Sequence, residues 1–113
     1  MKTREKIVRY LTILLAAVLT ARAGTITYNG HKETWYNLPM DRCVKRAQNM
    51  GIPAELWIRE DGVKMFGHWV IVAAHPSKVR YTRVQTSLGE GIILDFHTTY
   101  NDLELIDIAT TWK

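Results

Sequence analysis

Cysteine is almost absent: Cys43 is the one thiol in 113 residues. A lone thiol closes no internal disulfide, so the fold rests on its own core. The same scarcity removes cysteine-based zinc sites. The four histidines, His31, His68, His75 and His97, form no HxxxH or HExxH pattern. No metal and no cofactor is therefore expected. There is no internal repeat, no low-complexity tract and no interior linker. Long apolar runs are missing too, since Tyr10 to Thr20 is too short to cross a bilayer comfortably. A true excess of one charge is also missing. The formal charge of +4 belongs to the start of the chain. Lys2, Arg4, Lys6, Arg9 and Arg22 face only Glu5 there, which leaves ten bases against ten acids in the rest. That balance removes the compositional footprint of a nucleic-acid binder.

What is present at the start is a targeting pattern. A positive n-region precedes the apolar run Tyr10 to Thr20, broken only by Thr12. Ala21-Arg22-Ala23 then gives an A-x-A cleavage site before Gly24. The expectation is a signal peptide over 1–23 and one domain over 24–113; an uncleaved anchor uses the same pattern. No lipobox cysteine follows. The remaining 90 residues suffice for a single core. The chain is then secreted or wall-associated and monomeric, with no membrane contact after cleavage and no nucleic-acid partner.

Strand and turn signals dominate the rest. Thr25 to Tyr28 and Glu33 to Tyr36 are β-prone around Asn29-Gly30, a hairpin dipeptide. Asn37 reads as a helix N-cap, with Pro39 in the first turn. Met40, Cys43, Val44 and Ala47 then fall on one helical face, which predicts a helix near 39–50 that ends at Gly51. Cys43 on that face reads as a buried apolar residue, with a stray thiol as the alternative, and a thiol at such a position is usually inert. Asp41 and Lys45 stand at i, i+4 on the wet side. Arg42, Lys45 and Arg46 read as a solvated face, with an anionic polymer as the alternative. Leu56 to Arg59 and Val63 to Phe66 flank the turn Asp61-Gly62, and Glu60 and Asp61 belong to that turn. His68 to Ala74 is continuously apolar after its histidine, as a strand covered on both faces requires. Pro76 ends it. Val79 to Thr86 is mixed and β-prone, and Ser87 to Gly91 reads as a turn. Trp112 should pack on the core. Of Trp35, Tyr36, Trp57, Trp69 and Tyr81, most belong to the core, with one or two left to stack on sugar rings.

The chemistry concentrates between Gly89 and Ala109. Ile92, Leu94 and Phe96 alternate with Ile93 and Asp95, which is strand spacing. Ile106 and Ile108 flank Asp107, which therefore points the other way. Burying an acid is costly unless it is paired, hydrogen-bonded or set at a cleft. Two acids about a dozen positions apart on successive strands either face one site or cap separate loops. His75 and His97 are candidates for the same mouth, where a His–Asp pair relays protons.

These residues resemble a known family. Val70-Ile71-Val72-Ala73-Ala74-His75-Pro76-Ser77, then Thr86 to Asp95, then Leu105-Ile106-Asp107-Ile108, are similar to the three-aspartate domain. That is a double-psi β-barrel of secreted bacterial cell-wall enzymes, related to lytic transglycosylase A and rare-lipoprotein-A-like proteins. The resemblance covers roughly residues 56–112. Asp95 and Asp107 match the family's second and third acids. His75 stands where the first is expected, and Phe96-His97-Thr98 departs from the family's Thr-Gly. The resemblance implies a mainly β fold: a small six-stranded double-psi-like barrel, with the one early α-helix packed outside. It implies action on peptidoglycan or a related glycan, with Asp107 as general acid/base and Asp95 holding it or the sugar. His75, His97 and Thr98 would contact the substrate. Ordinary glycoside hydrolysis also uses two carboxylates, and a non-catalytic glycan- or protein-binding barrel is the alternative.

Overall fold

The apolar run after His68 becomes the strand on which the sheet is assembled. The computed structural model describes residues 25–98 and 101–112; the expected targeting segment, 1–23, lies outside them. In chain order the elements are β1 (Ile26–Tyr28), β2 (His31–Tyr36), α1 (Asp41–Asn49), β3 (Leu56–Ile58), β4 (Lys64–Phe66), β5 (Trp69–Ala74), β6 (Arg83–Thr86), β7 (Gly89–Phe96) and β8 (Ile106–Ala109). β5 pairs in parallel with β7 along one edge. Its other edge serves two antiparallel partners in turn: β4 near Val70 and β8 near Val72 and Ala73. β8 continues into a parallel pair with β2, which carries β1. β3 extends β4, and β6 extends β7.

The mainly β class with one early helix is what the structure has. The strands number eight rather than six, however, and the sheet is not closed into a barrel. Closure needs the last strands to pair with each other. Here the path ends on β1 and β3, which are three residues each and offer few backbone groups for a seam.

Both faces of β5 are covered, which explains its unbroken apolarity. Val70, Val72 and Ala74 pack with Val63, Met65, Ile93, Ile106 and Ile108, and Trp112 closes onto this core as expected. Ile71 faces the other way, with Phe66, Ile92 and Leu94, against Met40, Cys43, Val44 and Ala47 of α1. Each fully buried branched side chain contributes about 1.5–3 kcal/mol, so β5 anchors both layers. Cys43 is buried, and its thiol donates to the Met40 carbonyl.

Four local expectations are corrected. The helix begins at Asp41 and has no side-chain cap. Asn37 instead accepts from Lys64 Nζ at 2.8 Å and donates to the Thr111 carbonyl, because the buried Lys64 ammonium needs acceptors. The Val79–Thr86 strand shrinks to Arg83–Thr86; Tyr81 takes a positive φ of 72°, which breaks the ladder. The turn before β7 shortens to Ser87-Leu88, since pairing already starts at Thr86 with Gly89. Finally, Val72 pairs with Ile93 but Ala73 pairs with Asp95, so Leu94 is an extra residue in a bulge. The bulge re-aims the strand. Ile92 and Leu94 share the helix-side core, whereas Phe96 packs with Ile93 on the opposite one.

Candidate functional site

The two aspartates meet across Ala73. Ala73 pairs with Asp95 of β7 on one side and with Asp107 of β8 on the other. Asp107 pairs in turn with Thr34 of β2. Side chains of paired residues project to one face, so Asp95, Ala73, Asp107 and Thr34 form a row on the α1 side. Adjacent strands lie about 4.8 Å apart, which sets the two acid backbones about 10 Å apart. Only a methyl group stands between them.

β2 supplies a hydroxyl to each acid. Thr34 Oγ1 donates to Asp107 Oδ1 at 2.8 Å, with both residues buried. Two positions on, Tyr36 donates to Asp95 Oδ2 at 3.3 Å, with the Met40 sulfur as a second acceptor at 3.4 Å. The Phe96 amide donates to Asp95 Oδ1 at 2.9 Å. Burial pushes the Asp107 carboxyl above the usual carboxylate range. The Thr34 hydroxyl and the His97 ring oppose that shift, and the Asp95 charge adds to it. Burial, and then Asp95, also raise the Tyr36 phenol and the Cys43 thiol. Cys43 is thus held as an unreactive thiol.

The histidines extend the row past the ends of β5 and β7. The His97 amide donates to the Ala74 carbonyl at 2.9 Å. Its buried ring donates from Nε2 to the Leu105 carbonyl at 2.9 Å. His75 is half-buried, and its ring stands edge-on to His97 with centroids 6.1 Å apart. The His75 Nδ1 accepts from Ser77 through both its amide and its hydroxyl. Thr98 is exposed, just beyond His97. Asp95, Asp107 and His97 therefore come together, His75 sits beside His97, and Thr98 lies on the outside.

Thr34 was not legible as a site residue, and Tyr36 reads in the sequence as core or sugar-stacking rather than as a partner of Asp95. Their alternation marks a strand, but the parallel pairing with β8 joins positions 73 apart. Glu33 was missed as well. It is 1% exposed on the opposite face, where it accepts from Ser87 Oγ at 2.6 Å and from the Ser87 amide at 3.0 Å. The His31 ring contacts Glu33 Oε2, the oxygen that also takes the Ser87 amide, at 2.7 Å. Its parity with Trp35 was the one available signal.

Among the aromatics, Trp35 packs edge-on against Trp112. Tyr36, Trp69 and Tyr81 pack on the helix-side core. Trp57 is 46% exposed, with its indole N–H fixed on the Gly67 carbonyl, and it keeps a free ring for stacking. Glu60 is exposed, and Asp61 accepts from Arg59 and from the Val63 amide, as turn residues do. Among the described residues, no group of three His, Cys, Asp or Glu side chains is placed to hold a metal ion. No family model, no curated protein and no solved structure matches the chain.

Proposed function

We propose that this chain is a secreted, three-aspartate-like domain that cleaves cell-wall glycan by a lytic transglycosylase reaction, with Asp107 as the acid. One observation carries the reading: Asp95 and Asp107 flank the same alanine on one face. Burial in that row also pushes the Asp107 carboxyl upward. A general acid at neutral pH needs such a raised carboxyl. In the proposed reaction Asp107 protonates the glycosidic oxygen and the bond to the anomeric carbon breaks. The resulting carboxylate then takes the proton of the muramyl hydroxyl as that oxygen attacks the same carbon. An anhydro sugar forms and no water is consumed. Asp95, held by Tyr36 and the Phe96 amide, stabilises positive charge at the anomeric carbon. His97, fixed on the Leu105 carbonyl, lies near enough to favour the Asp107 carboxylate once its proton has left.

The second reading is a non-catalytic glycan-binding domain. Asp107 is only 7% exposed, and a catalytic acid must reach a substrate oxygen. Digesting purified peptidoglycan separates the two. Mass spectrometry should show anhydro-muramyl products with the wild type and none with Asp107→Asn. Cleavage by the variant at the wild-type rate sinks the assignment, and binding without turnover by the wild type favours the second reading. Intact-mass measurement of exported protein should show a chain that begins at Gly24; retention of residues 1–23 refutes cleavage there.

A further inference from the structure

We propose that the outward face of α1 is a docking surface for a flexible chain of phosphate groups. Arg42, Lys45 and Arg46 are exposed there at i, i+3 and i+4, so they neighbour one another on the helix surface. Their backbone positions span about 6 Å along the axis. The expected pair between Asp41 and Lys45 does not form: the ion pairs among the described residues are His31–Glu33, Arg59–Asp61 and Lys78–Glu104. Other cations are engaged. Lys64 binds Asn37 and the Leu38 carbonyl, Arg80 lies over Phe96 and Arg83 over Trp69. In a chain with ten bases and ten acids after residue 23, three cations gather on this face beside one acid, Asp41, which pairs with none of them.

The three cations surround a shallow depression with Asn49 and Met50. Two guanidiniums suit phosphate because each presents paired N–H donors to two oxygens. A bilayer fits less well. Cys43, Val44 and Ala47 all face the core, so α1 has no apolar face to insert; Met50 alone is apolar and exposed beside the cations. Nucleic acid also fits less well, since binding single strands uses aromatic platforms for the bases and none lines the depression. The chemistry left is a polymer of phosphates without bases. This surface lies apart from the aspartates, and the inference does not rest on the glycan reading.

Titration of the purified chain with long-chain inorganic polyphosphate, over a salt series, tests it. Binding should weaken as salt rises, by counterion release. The triple variant Arg42→Gln/Lys45→Gln/Arg46→Gln should bind about tenfold or more weakly and flatten the salt slope by roughly one per cation removed. Lys32→Gln, an exposed cation on β2, should bind as wild type. Circular dichroism should show the triple variant folded, because all three residues are exposed; if it is not, the single substitutions Arg42→Gln and Lys45→Gln are read instead. Several results overturn the proposal: no binding at low salt, equal loss with Lys32→Gln, or unchanged binding by the triple variant. Tighter capture by phosphatidylglycerol vesicles, or by single-stranded DNA of equal charge, also overturns it.

Discussion

Replacing Thr34 by Val tests whether β2 holds the candidate acid. Valine keeps the shape and the strand preference of threonine, so the loss is confined to the hydroxyl. That hydroxyl donates to Asp107 Oδ1 at 2.8 Å, with each residue 7% exposed. A hydrogen bond to a charged group is worth about 1.5–3 kcal/mol, against about 0.5–1.5 for a neutral pair. In a domain of this size each kcal/mol moves Tm by about 4–8 °C. With Asp107 ionised, the variant should therefore melt about 6–24 °C lower. The sign with pH follows from the raised carboxyl. Asp107 keeps its proton in the folded chain to higher pH than in the unfolded one. Its contribution to stability is complete below the unfolded value of 3.8 and is lost as pH rises through the folded value. The Thr34 hydroxyl limits that loss, because it favours the ionised form. In the variant the Asp107 titration should move upward, and the stability gap to wild type should widen from acid to neutral pH. Carboxyl chemical shifts across a pH series, with melting curves at the same points, provide both readouts. An unmoved Asp107 titration, or a gap independent of pH, would refute the hydrogen bond and the electrostatic account of the site.

Gly62→Ala should cost about 1–3 kcal/mol from its positive φ alone, and more from packing. A Cβ there would sit 2.6 Å from Thr111 Oγ1 and 2.9 Å from Trp112 Nε1. Denaturant midpoints and a shifted tryptophan emission should report both effects, and unchanged values would mean that Trp112 does not close on this turn. Glu33→Gln leaves at least one of Ser87 and His31 facing an amide N–H instead of a carboxylate oxygen, at about 1–3 kcal/mol. Urea unfolding measures it, and a variant as stable as wild type would show that Glu33 is not held as described.

Much of the fold was legible because local patterns carry it. The apolar run 69–74 could satisfy only a strand with two covered faces. Met40, Cys43, Val44 and Ala47 could share a face only as a helix. Asp61-Gly62 marked a hairpin whose glycine takes a φ of 88°. That Asp107 points away from its isoleucines also followed from the two-residue period of a strand. Other features depend on pairing between distant segments. Nothing local signals that β5 divides one edge between β4 and β8, or that the sheet stays open. The Leu94 bulge breaks an alternation that looks regular as sequence, and it changes which face Phe96 meets. The order Asp95, Ala73, Asp107, Thr34 exists only once four strands are in register. The sequence by itself determined which residues had to be buried and which acids would be costly there. The tertiary structure decided what stands beside those acids, because hydrogen-bond partners 59 and 73 positions apart are set by strand pairing and not by any local preference.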